Sequence, residues 1–192
     1  MIHLITGGSG SGKSAYAEEW ILQTNIPYRF YVATMKVVGD EEKKKVERHQ
    51  KLRAGKGFVT LECPSGLDLL TISQLGLKKQ NCAVLLECMS NLAANELFCA
   101  KPQSDMNDES LSLKQRADQA FERIKAGILQ ISTQCDMLAV VSCEVFSDGM
   151  DYSPETMAYL HLLGRLNCWT AEKSDFVTEV VYGIPLTIKP TG

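Results

Sequence analysis

Near its start the chain reads Gly7-Gly8-Ser9-Gly10-Ser11-Gly12-Lys13-Ser14, the spacing G-x-x-x-x-G-K-[ST], which suits a loop that wraps phosphate oxygens. Glycines serve there because successive backbone N–H groups must converge on an anion at the positive end of a helix with no Cβ in the way. In such a loop Lys13 would neutralise the β- and γ-phosphates of a nucleoside triphosphate, and the Ser14 hydroxyl would ligate Mg²⁺. A flexible Gly/Ser turn with a chance lysine is the bland alternative. The apolar run before the loop and the helical pattern after it argue against that.

Triphosphate chemistry of this kind also needs a carboxylate at the end of a neighbouring strand, close to the metal. Glu87 closes the apolar run Cys82–Glu87, and Glu144 closes the run Val140–Glu144. Each could instead be a solvated strand-end residue capping the next element, and position alone leaves both readings open. Of the three histidines, His3 lies in the first apolar run and His161 sits among leucines, so both are expected to be structural. His49 lies in a polar stretch where Val46, His49 and Arg53 fall at i, i+3 and i+7 and so share one helical face. An imidazole nitrogen there could attack phosphorus while the guanidinium holds phosphate oxygens bidentately. An exposed histidine in a charge-laced helix is the competing reading.

These groups need elements to position them. Short apolar, β-branched runs recur at Ile2–Thr6, Tyr28–Thr34, Phe58–Cys63, Ala83–Glu87, Met137–Glu144 and Asp175–Tyr182, with Pro185–Lys189 as a possible last strand. Helical periods separate most of them, at Lys13–Thr24, Leu113–Ile131 and Glu155–Ala171. Strand alternating with helix predicts an α/β fold, a mostly parallel sheet with helices on both faces, in one domain spanning residues 1–192. The short turn before Pro185 predicts an antiparallel terminal strand. Asp40–Arg53, with Asp40 as its N-cap, reads as an exposed helix or lid, and Lys101–Ser112 as a polar surface connector.

Twenty Lys and Arg against 23 acidic residues give a net charge of -3, so no bulk field favours nucleic acid or an anionic membrane as partner. The seven cysteines form no C-x-x-C pair and several lie in apolar runs, which predicts reduced, buried thiols and a cytoplasmic protein. Ile2–Thr6 is too short for a signal peptide, and no apolar stretch approaches the ~20 residues of a membrane helix. No membrane insertion is expected.

Taken together, these residues resemble the CobU-type bifunctional adenosylcobinamide kinases/adenosylcobinamide-phosphate guanylyltransferases of cobalamin biosynthesis. The matching stretches are Leu4–Gly8 with Ser11–Ser14, Tyr31–Thr34, Asp40-Glu41 leading to Val46, His49 and Arg53, then Thr60 and Glu62, Val84–Cys88, Asn95, Glu144-Val145, and Gly164–Asn167. They run in family order over nearly the whole chain. The resemblance implies a P-loop NTPase with a RecA-like sheet, and an enzyme that phosphorylates adenosylcobinamide with ATP or GTP. The same enzyme would then transfer GMP from GTP to the new phosphate through a guanylylated His49. The implied nucleotide contacts are Gly7, Gly8, Ser9, Gly10, Ser11, Gly12, Lys13 and Ser14, Ala33, Thr34 and Met35, Gln50, Lys51, Leu52 and Arg53, Glu62 and Glu87, with Ser14 and Glu87 at the metal. A corrinoid is the implied partner, and a homo-oligomer, trimeric within the family, the implied assembly.

The chain departs from the family pattern at four places. Gly10 stands where the loop usually has Arg, and Ala54-Gly55-Lys56-Gly57-Phe58 replaces a Pro and Trp. Cys143-Glu144-Val145-Phe146 replaces Asn-Glu-Val-Gly, and Cys168 replaces Gln. A kinase without guanylyl transfer, or a nucleotide-binding regulatory module, are the alternative functions.

Overall fold

A computed structural model of the chain describes residues 1–36, 39–40, 55–72, 81–98, 111–147 and 149–190. Along these run β1 (Ile2–Thr6), α1 (Lys13–Leu22), β2 (Tyr28–Ala33), β3 (Phe58–Glu62), a 3₁₀ turn (Leu67–Leu69), β4 (Cys82–Glu87), α2 (Met89–Phe98), α3 (Leu113–Gln134), β5 (Met137–Val141), α4 (Pro154–Lys173), β6 (Phe176–Val181) and β7 (Ile184–Lys189). Among the described residues seven strands form one sheet in the order β3-β2-β4-β5-β1-β6-β7. Pairing is parallel from β3 through to β6, and β7 returns antiparallel beside β6. This is the mostly parallel arrangement that the alternation of runs predicts, closed by an antiparallel terminal strand.

Pleating sends successive side chains to opposite faces, and the central strands are covered on both. Leu4, Val84, Leu86, Leu138 and Val140 pack with Leu92 and Leu97 of α2, Ile124, Ile128 and Ile131 of α3, and Leu163 and Leu166 of α4. Their neighbours Ile5, Ala83, Leu85, Ala139 and Val141 pack against Ala17 and Ile21 of α1. Burial on both faces is why β4 and β5 read as unbroken apolar runs.

Helix starts follow local chemistry. Ser112 caps α3 in a reciprocal capping box with Gln115, and Ser153 caps α4 ahead of Pro154. The side of α3 that meets the 3₁₀ turn requires a glycine, since a Cβ at Gly127 would sit 2.7 Å from Leu67 Cγ.

Several expectations need correction. His161 is exposed on α4 rather than packed in the core. Met157 and Arg165, one turn either side of it, are exposed as well. The run expected to continue to Glu144 ends as a strand at Val141, because the chain then turns toward the loop after β1. Ser142 N–H still donates to Ile5 O at 2.9 Å, but Glu144 N–H donates to Gly7 O at 3.1 Å. The thiols are not uniformly buried: Cys63, Cys82, Cys88 and Cys135 are, Cys143 is partly open and Cys168 is exposed. His3 is buried as expected, at 2% exposure, bonded to Thr178 Oγ1 at 2.8 Å, and burial pushes its pKa down to about 4. Apart from Asp40, the polar stretch Asp40–Arg53 lies outside the described residues, as does most of the 101–112 connector.

Candidate nucleotide-binding site

The loop after β1 is fixed at both ends and along its length. Gly12, at φ +93°, is the left-handed N-cap of α1, and Tyr16 N–H closes the first helical bond to Gly12 O at 3.0 Å. Gly7 lies against β6 so tightly that a Cβ there would stand 2.4 Å from Val180 O and 2.6 Å from Ser11 Oγ. Ser11 N–H donates to Gly8 O at 3.2 Å, and Gly183 N–H, in the β6–β7 turn, donates to Ser11 O at 2.8 Å. Ser9 and Gly10 form the exposed outer side. The loop therefore hangs from β5 on one side and from the β6–β7 hairpin on the other.

Lys13 opens α1 with its side chain turned back over the loop. It is 8% exposed, and its Nζ donates to Gly8 O at 2.9 Å. The Ser14 hydroxyl donates to a carboxylate oxygen of Glu87. Glu87 sits at the carboxyl end of β4, separated from β1 by β5, and the first turn of α1 bridges that strand to reach it. Of the two strand-end carboxylates that position alone left open, Glu87 is the one at the loop. Glu144 instead accepts from Phe146 N–H and Ser147 Oγ, both at 2.8 Å, and holds its own turn.

Beyond Glu87 the sheet edge is stitched together by buried polar groups. Register places Glu62, Ala33 and Glu87 side by side at the ends of β3, β2 and β4. Thr34, fully buried, accepts from Cys88 N–H at 2.6 Å and donates through Oγ1 to Cys88 O at 2.8 Å. Its backbone N–H donates to Glu87 O at 3.0 Å. Asn95 of α2 adds two bonds from Nδ2, to Thr34 O and Pro64 O, both at 2.9 Å. Ala33 and Met35 are half-buried along this edge and Glu62 is exposed at its end. His49, Gln50, Lys51, Leu52 and Arg53 lie outside the described residues. The segment that carries them leaves after β2 and re-enters before β3, where Lys56 is anchored to the buried Glu18 of α1 at 2.5 Å.

Sequence reasoning singled out neither Ser90 nor a role for Cys143. The thiols of Cys88 and Cys143 act on one another, and Ser90 Oγ lies 3.0 Å from Cys88 Sγ. The Cys88 thiol, then Ser90 and the Lys13 ammonium, draw the Cys143 pKa down to about 5. The Cys143 thiol, together with burial, pushes Cys88 up. Each lies near the end of an apolar run, but only the adjacency of β4 and β5 brings them together.

Next to Glu144 a groove of about 910 Å³ opens between the start of α3, the loop after β5 and α4. Val145, Phe146, Met150, Tyr152 and Met157 line it, with Arg165 and His161 at its polar margin. Among the described residues no three His, Cys, Asp or Glu side chains gather to hold a metal ion. The hydroxyl of Ser14 and the carboxylate of Glu87 are nevertheless hard oxygen donors of the kind Mg²⁺ accepts when phosphates and water complete its shell.

The profile of the cobinamide kinase / cobinamide phosphate guanyltransferase family matches residues 3–188. The bifunctional adenosylcobalamin biosynthesis protein CobU of Salmonella typhimurium is 31% identical over 193 residues, covering 98% of this chain and 100% of that protein. CobU of Escherichia coli matches equally well in identity and coverage, and CobP of Pseudomonas aeruginosa is 24% identical with 98% of each chain covered. Among solved structures, an ATPase domain aligns with a TM-score of 0.49 at 9% identity over 93% of this chain and 68% of its own. The flagellar accessory protein FlaH of Methanocaldococcus jannaschii aligns with a TM-score of 0.47 at 12% identity, over 99% and 78%. No helix of the described residues is long and apolar enough to cross a membrane. With the profile running from β1 into β7 across a phosphate loop, its Ser14–Glu87 contact and the stitched edge of β2, β3 and β4, the chain belongs to the cobinamide kinase/cobinamide phosphate guanyltransferase family.

Proposed function

We propose that this chain phosphorylates adenosylcobinamide with ATP or GTP and then transfers GMP from GTP to adenosylcobinamide phosphate, giving adenosylcobinamide-GDP. The contact between Ser14 and Glu87 beneath a lysine-bearing phosphate loop carries the reading, because it joins the groups that phosphoryl and nucleotidyl transfer both require. Family membership supplies the acceptor.

In the first reaction the acceptor hydroxyl oxygen attacks the γ-phosphorus. The bond to the β–γ bridging oxygen breaks, the nucleoside diphosphate leaves and the hydroxyl proton passes to solvent. Backbone N–H groups of Gly8 to Lys13 surround the phosphates, and the Lys13 ammonium leaves Gly8 O to hold the charge growing on the leaving oxygens. Ser14 and Glu87 would hold Mg²⁺, which supplies charge neutralisation across the phosphate oxygens. In the second reaction an unprotonated His49 nitrogen attacks the α-phosphorus of GTP and pyrophosphate leaves. A phosphate oxygen of the corrinoid then displaces His49 from that phosphorus and restores the imidazole. Arg53 holds the phosphate under attack, and Ala33, Thr34, Met35, Gln50, Lys51, Leu52 and Glu62 make the remaining nucleotide contacts. The row Glu62–Ala33–Glu87 along the sheet edge is consistent with that set.

A homo-oligomer, trimeric as in the family, fits the apolar edge at β7, where Ile184, Leu186 and Ile188 are 61%, 46% and 61% exposed. The test of function supplies adenosylcobinamide, GTP and Mg²⁺ and separates the corrinoids over time. Adenosylcobinamide phosphate should appear first and adenosylcobinamide-GDP after it, with one pyrophosphate for each GDP adduct. Bound GTP with no corrinoid product would overturn the proposal.

A further inference from the structure

Two thiols that the proposed mechanism does not use stand at the edge of the phosphate site. β4 and β5 are adjacent and parallel, with Glu87 opposite Val141, so Cys88 and Cys143 leave neighbouring strands just beyond the same rung. Ser90 Oγ lies 3.0 Å from Cys88 Sγ, and the Cys88 thiol and the Lys13 ammonium both act on the Cys143 thiol. Exposure differs between them: Cys143 is partly open, whereas Cys88 is 9% exposed. An accessible sulfur beside a cation, backed by a buried second thiol, is the layout of an attacking and a resolving cysteine.

We propose that Cys143 is a thiol-modification site beside the phosphate-binding loop, oxidised by peroxides and resolved by Cys88 into an intramolecular disulfide. With hydrogen peroxide as oxidant, the Cys143 sulfur attacks one peroxide oxygen. The S–O bond forms, the O–O bond breaks, and the departing hydroxide takes the thiol proton to become water. Cys88 sulfur then attacks the Cys143 sulfenic sulfur; the S–S bond forms, the S–O bond breaks, and the second water leaves with the Cys88 proton. Two thiols are oxidised and one peroxide is reduced to two waters.

The cross-link has a mechanical route to the loop. It ties the exit of β5 to β4. That exit holds the loop, because Glu144 N–H donates to Gly7 O. Nucleotide turnover therefore falls several-fold on oxidation and returns on reduction. This effect rests on the nucleotide-binding reading, whereas the cross-link itself does not. Cys82 and Cys135, at the amino edge of the sheet, are 1% and 9% exposed and so serve as internal controls.

The experiment treats the purified full chain with hydrogen peroxide, alkylates the remaining thiols and maps the peptides without reduction. The expected result is a disulfide joining the Cys88 and Cys143 peptides, reversed by dithiothreitol and lost in Cys143→Ala. In Cys88→Ala, dimedone should trap a sulfenic acid at Cys143. The proposal is overturned if Cys143 stays fully alkylatable while the exposed Cys168 oxidises, or if Cys143 links to any cysteine other than Cys88. The wild-type map decides the matter even where a variant does not fold, and it reads chemistry at sulfur whether or not a corrinoid is ever turned over.

Discussion

Over β1, β2 and β4 the carboxyl edge of the sheet is closed by buried hydrogen-bonded groups, whereas beyond β5 the chain turns apolar side chains toward solvent. On the first side, Thr34 and Asn95 satisfy neighbouring backbone groups, and Ser14 meets Glu87 across an intervening strand. On the second, Phe146 and Met150 are 44% and 66% exposed around an open groove. The closed side is suited to a small, highly charged ligand that needs pre-aimed dipoles. The open side offers area without fixed polar partners, which suits a large acceptor bound by its faces. Substitutions on the closed side should therefore cost chemistry or stability, and those on the open side should cost little of either.

Four substitutions would break or sharpen that contrast. The largest effect is expected from Lys13→Ala, which should lower nucleotide turnover by about 10²–10³-fold, measured in steady state, while circular dichroism shows the fold retained. Glu87→Gln keeps an acceptor for the Ser14 hydroxyl but removes its charge. The Mg²⁺ concentration that gives half-maximal rate should then rise by roughly tenfold or more, and a titration curve that overlays wild type would remove Glu87 from the metal. Thr34→Val is nearly isosteric and leaves Cys88 N–H without its acceptor. Urea denaturation should show a loss of about 1–3 kcal/mol. Phe146→Gly should change stability by no more than about 0.5 kcal/mol and leave corrinoid-independent nucleotide turnover unchanged, with the KM for the corrinoid altered. A collapse of stability in that variant would mean that the open side is core after all.

The closed side was largely legible in the sequence because its signals are local. The spacing of Gly7 to Ser14 sets a loop, and an acid at the end of an unbroken apolar run sets a carboxylate at the sheet edge, so Glu87 could be named before its contact with Ser14 was seen. What position could not decide was Glu87 against Glu144. The choice depends on how far the first turn of α1 reaches across β5, which is a property of strand order. His161 was misread because its sequence neighbours are leucines. The helical period instead groups it with Met157 and Arg165, and those two were the informative residues. The early end of β5 was hidden for a similar reason, since the partner that draws Glu144 N–H out of the sheet is Gly7, far away in sequence. The Cys88–Cys143 contact likewise depends on β4 and β5 being neighbours, which no run of residues announces.

The most direct test of the two-step account is to incubate the protein with GTP labelled at the α-phosphate and Mg²⁺, denature it, and locate any acid-labile, base-stable adduct by peptide mass spectrometry. The expected result is label on His49, discharged when adenosylcobinamide phosphate is added before denaturation and absent in Lys13→Ala. GTP bound and adenosylcobinamide-GDP formed with no label at His49, or with the label on another residue, would contradict it.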